Sequence, residues 1–424
     1  MDNPKNWMHN TNIYEVNLRQ YTQEGTFLAF LKELPRLKRM GIKTLWMMPI
    51  TPISQENKKG SLGSPYAASD YTIANPEFGS KEDFRKLVIE AHRLGMKVII
   101  DWVANHTGWD HVWTKSNPEF YKKTEEGDFL MASGMEDIIE LDYNNLEMRG
   151  KMISAMKMWV KETYIDGFRC DLASWVPLDF WEEASKELSI LKPLFFLGEY
   201  DELEHPDYGK VFHASYAWKW MHASENYYKN KGSIEELKNL LREYSNLGDH
   251  SMRAWFTSNH DENSWNGTEY EKYGNIALPL AVFSITFNGV PLIYSGQELP
   301  NLRRLEFFEK DAIQWKSDYE LAPFYKTLLH LKLTNPALRG ADPTVSTTFI
   351  NTTADDKIFA YKRKKDNDEV LVILNLSDKE VYFKITDEIS GIFQDIFNFK
   401  KRDFNQDKEF HFSVSDFKVY ERII

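Results

Sequence analysis

The sequence contains a single cysteine, Cys170, among its 424 residues. One thiol cannot form an intrachain disulfide, so the fold does not depend on an oxidising compartment. Cys170 lies inside an apolar segment, where a buried, unreactive thiol is expected rather than a nucleophile. No apolar run reaches the length of a membrane-spanning helix. The chemistry is therefore expected from other residue types in a globular chain.

The chain also lacks an excess of positive charge. Its formal net charge is −12 at pH 7, which argues against nucleic acid as a partner. Residues 1–10 lack the basic start and apolar run of a secretory leader, so we expect a cytoplasmic protein. The alternative is a periplasmic or secreted protein whose leader was removed. We expect the protein to be a monomer.

Aromatic residues are plentiful, with 13 Trp and 21 Tyr. One interpretation is that some of them form flat platforms for apolar ligand faces such as those of sugar rings. The other interpretation is a Trp-rich core with aromatic belts between helices. Composition alone leaves both open.

Short apolar segments alternate with amphipathic ones over most of the chain, which predicts a (β/α)₈ barrel at residues 1–340. The strand candidates are 13–18, 44–49, 98–103, 167–171, 195–199, 211–214, 254–258 and 291–294. The helix candidates are 27–40, 81–94, 146–163 and 234–244.

Two further segments depart from this alternation. Residues 106–145, after the third strand, are too long for an ordinary barrel loop and predict a small inserted subdomain at the barrel mouth. Residues 341–424 contain short alternating runs separated by turn residues, which predicts a C-terminal all-β sandwich domain. Its strand candidates are 358–363, 370–375, 381–385 and 410–414.

Three carboxylates stand at the ends of strand-like segments: Asp171, Glu199 and Asp261. A carboxylate at the tip of a buried strand is costly unless chemistry needs it there. The carboxyl ends of barrel strands share one face, so these side chains are expected to meet. Hydrolysis of a glycosidic bond needs two carboxyl groups flanking the bond. Two histidines and an arginine beside the carboxylates, His106, His260 and Arg169, suit contacts with sugar hydroxyls.

The neighbours of the first two carboxylates differ. Arg169 and Asp171 are two residues apart on a strand and share a face, so the guanidinium should keep Asp171 ionised, as a nucleophile requires. Glu199 follows an apolar segment, which should raise its pKa and suit a general acid. Asp261 is best used to bind hydroxyls of the distorted ring. Asp101 has a structural alternative, in which it is buried and paired with Arg169.

Several segments together resemble the α-amylase family, glycoside hydrolase family thirteen. They are DWVANH (101–106), GFRCD (167–171), LGE (197–199), SNHD (258–261), GIKTLWMMPI (41–50), SPYAASDYTIANPEFGS (64–80) and GVPLIYSGQE (289–298). The resemblance covers nearly the whole chain. It implies a retaining mechanism through a covalent glycosyl-enzyme, with the nucleophile and acid about 5–5.5 Å apart.

Carried over by position, the resemblance implies that Asp171 is the nucleophile, Glu199 the acid/base and Asp261 the transition-state stabiliser. Tyr66 would stack under the sugar ring at the cleavage point. The residues implied to contact substrate are Tyr66, Asp101, His106, Tyr143, Arg169, Trp175, His260 and Arg303. Subsite positions also fall on Trp102, Trp109, Trp113 and Trp265.

Many family members bind a structural Ca²⁺, and here the matching residues are incomplete. Asn105 is present, but Trp175 stands four residues beyond Asp171, where such members have a histidine ligand. Residues 20–27 also lack the Asp/Asn-rich loop that forms the other frequent site. We therefore expect no cofactor and no essential metal.

The resemblance favours cleavage of α-1,4-glucosidic bonds in starch, glycogen or malto-oligosaccharides. Residues 140–145 look closest to the form found in α-1,4-endo-acting amylases. A neopullulanase, debranching or transglycosylating enzyme of the same family is the main alternative. A metallohydrolase built on the same carboxylates and histidines, or a non-catalytic glucan-binding protein, is a further alternative. All three acids are present, which disfavours the non-catalytic protein, and Arg169 would repel a metal.

Overall fold

The computed structural model describes residues 6–248, 251–316 and 318–423. Eight parallel strands close into a barrel, which confirms the predicted (β/α)₈ fold. The strands are β1 Ile13–Val16, β2 Thr44–Met47, β3 Lys97–Trp102, β4 Gly167–Cys170, β5 Phe195–Gly198, β6 Ala214–Tyr216, β7 Met252–Trp255 and β8 Val290–Tyr294. Closure is made by Ile13 of β1, which pairs with Leu292 of β8 on one side and Thr44 of β2 on the other.

Helices connect the strands and cover the barrel. In chain order the α-helices are Asn6–His9, Leu18–Tyr21, Phe27–Leu31, Leu34–Met40, Lys81–Arg93, Val112–Ser116, Leu146–Thr163, Leu178–Ser189, Trp218–Tyr228, Ile234–Asn246, Glu269–Tyr273, Ala277–Thr286 and Ala322–Thr334. Helix Lys81–Arg93 shows why they form: Ser80 and Asp83 make a capping box, and an apolar face is buried. None of the helices in the described ranges combines the length and the apolar character needed to cross a membrane.

Some predicted boundaries are wrong. The helix expected at 27–40 is two helices, because the chain turns at Lys32 and Glu33 and Pro35 then opens the second one. The sixth strand begins at Ala214 rather than 211, because a short 3₁₀ helix ends at Lys210 and Val211 keeps helical backbone angles. The seventh strand is Met252–Trp255, two residues earlier than expected.

The C-terminal face of the barrel carries three long segments. The predicted insertion after β3 contains helix Val112–Ser116 and a small antiparallel ladder between His106–Thr107 and Ile139–Glu140. We refer to the segment between β2 and helix Lys81–Arg93 as the β2 segment. The β8 segment lies between β8 and helix Ala322–Thr334. Only the insertion was predicted as a subdomain at the mouth, whereas residues of all three segments line the pocket there.

The residues after the barrel form an antiparallel β domain, as predicted. A six-stranded sheet has the order β9–β10–β11–β16–β13–β14, and β12 pairs with β15. The strands are β9 Ser346–Phe349, β10 Ile358–Lys365, β11 Asp368–Asn375, β12 Val381–Lys384, β13 Ile392–Asp395, β14 Lys401–Asp403, β15 Glu409–Phe412 and β16 Phe417–Arg422. Aromatic contacts between Phe283 on the barrel and Phe359 and Tyr361 on β10 join this domain to the barrel core.

Candidate active site

Arg169 on β4 lies at the centre of the barrel mouth, fully buried among carboxylates. Its Nη1 is 2.9 Å from Asp101 Oδ1 on β3 and 2.9 Å from Asp171 Oδ1 at the end of β4. Its Nη2 forms an ion pair with Glu199 Oε2 at 2.9 Å, although it is not aligned for a hydrogen bond. One guanidinium therefore holds three carboxyl groups from three neighbouring strands together.

Asp171 and Glu199 are consequently neighbours, as the strand-end pattern predicts. Burial raises the pKa of Asp171, and the contact with Arg169 opposes this rise. Burial and the charge of Asp171 also raise the pKa of Glu199, again against the pull of Arg169. No cation is next to Glu199 in the sequence, but Arg169 lies beside it in the fold, because the ion pair crosses from β4 to β5. Its expected direction of pKa change still agrees with the structure.

Leu172, the residue after Asp171, has a left-handed backbone with φ of +41° and ψ of 48°. A β-carbon makes this conformation costly, and such strain is typical of functional sites. The turn aims the backbone N–H of Leu172 at Glu199 Oε2, at 2.9 Å. The strained turn therefore orients one oxygen of Glu199 beside Asp171.

Asp101 lies below these two groups and serves the structural role considered from its sequence. It accepts hydrogen bonds from Arg169, from Trp46 Nε1 at 3.2 Å and from the Tyr66 hydroxyl at 2.9 Å. Burial raises its pKa, which the charge of Arg169 counteracts. Because these donors surround both its oxygens, Asp101 orients Arg169 and Tyr66 rather than facing the pocket.

The third strand-end carboxylate, Asp261, is paired with a histidine. His260 Nε2 lies 3.2 Å from Asp261 Oδ2, and Nδ1 donates a 2.6 Å hydrogen bond to Glu15 Oε1 on β1. Burial alone would lower the pKa of His260, but Asp261 and Glu15 raise it to about 9. His260 is therefore an imidazolium at neutral pH and a second buried cation of the site.

His106, in contrast to His260, is uncharged at neutral pH. Burial lowers its pKa to about 4, so the ring is neutral at pH 7. Its Nδ1 lies 3.3 Å from Asn105 Nδ2, whereas Nε2 is buried with no partner in the part of the chain that the structure describes. An unpartnered ring nitrogen at a pocket wall is available to a ligand hydroxyl.

These groups line a pocket of about 470 Å³, a volume typical of small-ligand sites. Its floor and walls combine the strand-end residues with side chains of the β2 segment, the insertion and the β8 segment. The lining residues are Lys59, Ser64, Tyr66, His106, Met135, Asp137, Ile138, Asp171, Leu172, Trp175, Glu199, His260, Asp261, Trp265, Phe307 and Phe308. Tyr66 stacks on the His260 ring with centroids 5.2 Å apart, which holds the phenol at the wall.

Trp175 and Trp265 are the exposed aromatic residues of this pocket, with 46% and 53% of their surface accessible. Trp175 could either serve as an aromatic platform or pack under the insertion, and its exposure at the pocket favours the platform. Trp102 and Trp113 are buried and pack around Tyr71, so these two belong to the core instead.

Four predicted substrate-contacting residues are not among those that line the pocket: Asp101 and Arg169, which lie beneath it and form an ion pair with each other, and Tyr143 and Arg303. Tyr143 is only 8% exposed, its ring packs edge-on against Phe180, and its hydroxyl donates to the Ala104 carbonyl at 2.7 Å. Arg303 forms an ion pair with Asp311 at 2.6 Å within the β8 segment. Both side chains are engaged in supporting structure, and neither reaches the carboxylates.

Sequence reasoning missed Glu15 and the aromatic wall of Phe307 and Phe308. The signal for Glu15 was available, because a carboxylate inside a fully buried strand is costly unless it has a buried partner. The wall residues belong to the irregular β8 segment, where no periodic pattern points to a location.

Two residues stand at the family calcium position, Asn105 and Trp175. Asn105 contacts His106, and Trp175 has no ligating atom. Within the described ranges, no three His, Cys, Asp or Glu side chains are placed to hold a metal ion. Cys170, between Arg169 and Asp171, is fully buried, and burial raises the pKa of its thiol far above the ordinary value.

Two adjacent buried carboxyl groups at the mouth of a (β/α)₈ barrel place this protein among the glycoside hydrolases. Comparison with known families makes this specific. The model of the alpha amylase catalytic domain matches residues 8–132 and 119–318, and that of the alpha-amylase SusG C-terminal domain matches residues 358–409. The chain belongs to the alpha-amylase family, whose members retain the anomeric configuration.

Individual relatives are distant. Alpha-amylase 2 of Dictyoglomus thermophilum is 26% identical over 415 residues, which cover 91% of this chain and 69% of the relative. A cyclomaltodextrinase of Thermoanaerobacter pseudethanolicus is 26% identical over 398 residues, covering 87% and 66%. The crystal structure of a noncanonic maltogenic alpha-amylase from Thermotoga neapolitana has a TM-score of 0.87 at 28% identity, covering 98% of this chain and 99% of that one. Because these relatives have different activities, they identify the family of this chain but not the bond that it cleaves.

Proposed function

We propose that this protein hydrolyses α-1,4-glucosidic bonds of starch-type glucans or malto-oligosaccharides through a covalent glycosyl-enzyme. The observation that carries the proposal is the pair of Asp171 and Glu199, held side by side on Arg169 in a pocket of limited volume. A retaining glycosidase needs one ionised and one protonated carboxyl group at short separation.

In the first step, a carboxylate oxygen of Asp171 attacks the anomeric carbon while Glu199 donates its proton to the glycosidic oxygen. The bond to the leaving sugar breaks, and an ester to Asp171 forms. Burial raises the pKa of both Asp171 and Glu199, but only Asp171 accepts a hydrogen bond from Arg169, so we assign the proton to Glu199 before this step. In the second step, Glu199 takes a proton from water, which attacks the same carbon and releases Asp171.

The charge balance around the ring favours this reaction. Five carboxyl groups meet only two cations, Arg169 and His260, in these contacts: they are Glu15, Asp101, Asp171, Glu199 and Asp261. A buried excess of negative charge stabilises the positive charge that develops on the sugar in an oxocarbenium-like transition state. Asp261 and His260 line the same pocket, and we assign to them the binding of hydroxyl groups of that ring.

The main test compares the wild type with Glu199→Gln on soluble starch. We expect the variant to release reducing sugar about 10²- to 10⁴-fold more slowly, the usual range for a lost general acid. Glu183→Gln, on an outer helix, is the matched control and should behave as wild type. Equal rates for Glu199→Gln and wild type would reject the assignment of the acid.

The same intermediate would also support transglycosylation, or cleavage of pullulan or branch points, and relatives such as the cyclomaltodextrinase give this alternative weight. Chromatography of the products from maltoheptaose, amylopectin and pullulan separates these activities. A metallohydrolase is disfavoured because the Arg169 guanidinium lies against the carboxylates that a metal would bind and would repel the metal. Activity that persists in the presence of a chelator would argue against it independently.

A further inference from the structure

The mouth of the pocket is closed on one side, and we propose that the protein therefore acts at the non-reducing ends of glucan chains rather than in their interior. This inference rests on the proposed function and adds to it the part of the substrate that is recognised. It depends on three sets of contacts between the segments around the barrel mouth.

The first set joins the β2 segment to the β8 segment. Ser61 N donates to Glu309 Oε1 at 2.8 Å, and Leu62 N donates to the Phe308 carbonyl at 3.1 Å. Gly60 has a φ of +62°, and a β-carbon at this position would lie 2.5 Å from Phe308 Cβ. The two backbones are thus in direct contact, and no sugar chain can pass between them.

The second set joins the β2 segment to the insertion. Lys59 Nζ lies 2.9 Å from Asp137 Oδ1, and both residues line the pocket. Farther out, the backbone N–H of Gln55 donates to Asp110 Oδ2 at 2.9 Å. The carboxylate of Asp137 is largely buried, which makes this ion pair more than a mobile surface contact.

The third set extends the wall to the turn after β7. The Trp265 ring lies 5.3 Å from Phe307 and 5.6 Å from Phe308, measured between centroids. A continuous rim therefore runs from the insertion through the β2 and β8 segments to Trp265. The remaining arc, above β4, β5 and β6, carries the half-exposed Trp175.

The catalytic groups show which end of the substrate faces each side. Glu199, as the general acid, must lie next to the leaving group, which therefore occupies the side of β4 and β5. Its Oε2 accepts from Leu172 in the same turn that presents Trp175, so the leaving chain can run over that indole. The attacked ring then lies toward Tyr66 and Phe307, whose rings stack 6.2 Å apart within the closed rim.

A chain cleaved in its interior needs an open path on both sides of the attacked ring. Here the path beyond that ring meets the rim, so only a chain terminus fits. Residues 140–145, whose form favours endo action, do not bear on this point. Glu140 pairs with His106 in the insertion ladder, and Tyr143 is buried away from the pocket.

The test uses maltoheptaose labelled at its reducing end, with and without a 4,6-O-ethylidene group on the non-reducing glucose. We expect the block to lower kcat/KM of the wild type by about 100-fold or more, because the terminal ring must enter the pocket. Comparable kcat/KM values for both substrates would overturn the inference while leaving the proposed function intact. Failure to cleave either substrate would instead reject the proposed function, and the inference with it.

Two variants test whether the rim is the cause. Phe308→Ala removes the wall ring that packs against Trp265 and Phe307, and we expect the ratio of blocked to unblocked kcat/KM to rise about 10-fold. Lys122→Ala is the control away from the rim. It breaks the ion pair with Glu140 on the outside of the insertion and should leave the ratio of blocked to unblocked kcat/KM unchanged. An unchanged ratio in a Phe308→Ala protein with native circular dichroism would refute the assignment of the wall.

Discussion

A single substitution, Glu15→Gln, can test what keeps His260 positively charged. A pKa of about 9 in place of 6.5 corresponds to about 3 kcal/mol in favour of the imidazolium. Glu15 contributes through both its charge and its 2.6 Å hydrogen bond, and Asp261 through its charge. Glu15→Gln keeps the shape and an acceptor oxygen but removes one negative charge, so it separates charge from packing.

We expect the pKa of His260 to fall by about 1–3 in Glu15→Gln, as for the loss of an opposite charge within hydrogen-bonding distance. The assay is a pH titration of ¹⁵N-labelled histidine side chains by NMR, with His260 assigned through His260→Asn. His106 serves as an internal control, because burial and not Glu15 lowers its pKa to about 4. The alkaline limb of the kcat/KM profile should move to lower pH together with His260.

The same substitution has a consequence for stability. A histidine whose pKa is raised in the folded state stabilises that state fully below the unfolded pKa of about 6.5, and loses this contribution as pH rises through about 9. Glu15→Gln should therefore be less stable than wild type at pH 6, with a smaller difference near pH 10. An unchanged pKa of His260 in the variant would refute the assignment of Glu15 as the group that keeps it charged.

Three further predictions follow from the site and its surroundings. Trp175→Ala should raise KM for maltoheptaose about 5- to 10-fold with a smaller change in kcat, because an exposed platform contributes about 0.5–1.5 kcal/mol of binding. Tyr143→Phe should leave KM unchanged and lower the free energy of unfolding by about 1 kcal/mol, since it removes only the bond to the Ala104 carbonyl; a raised KM would return Tyr143 to the pocket. Burial lowers the pKa of His106 to about 4 and that of His111 to about 3. Acidification from pH 6.5 to 4 should therefore lower the free energy of unfolding, measured with urea, by about 3 kcal/mol per histidine. A free energy of unfolding that does not change over this pH range would contradict their burial.

The strand-end carboxylates could be found from sequence because the barrel itself determines where they go. Parallel strands open their carboxyl ends on one face, so Asp171, Glu199 and Asp261 converge once the strands are recognised. Their roles in catalysis remain a proposal. The ion pair between Arg169 and Glu199 could not be found in the same way, because it depends on the register between β4 and β5, in which Arg169 lies opposite Leu197.

Contacts between segments that are distant in the sequence were the hardest part of the site to predict. Glu15 and His260 are 245 residues apart, and only barrel closure brings them together. The rim depends on Gly60 and Phe308 meeting from two segments without helical or strand periodicity. Tyr143 was misplaced for a related reason: an aromatic residue near a barrel mouth has the same sequence signature whether it faces solvent or packs beneath the loop.

The buried position of Cys170 makes the protein unusually simple to derivatise. Its thiol is inaccessible and is the sole native one, so a cysteine introduced at the surface would be the single reactive site without any prior removal of native thiols. Lys58→Cys in the β2 segment and Leu302→Cys in the β8 segment would lie at exposed positions on the two segments that meet at Gly60 and Phe308. The distance between spin labels on this pair would report whether the β2 and β8 segments stay in contact while a glucan chain is bound.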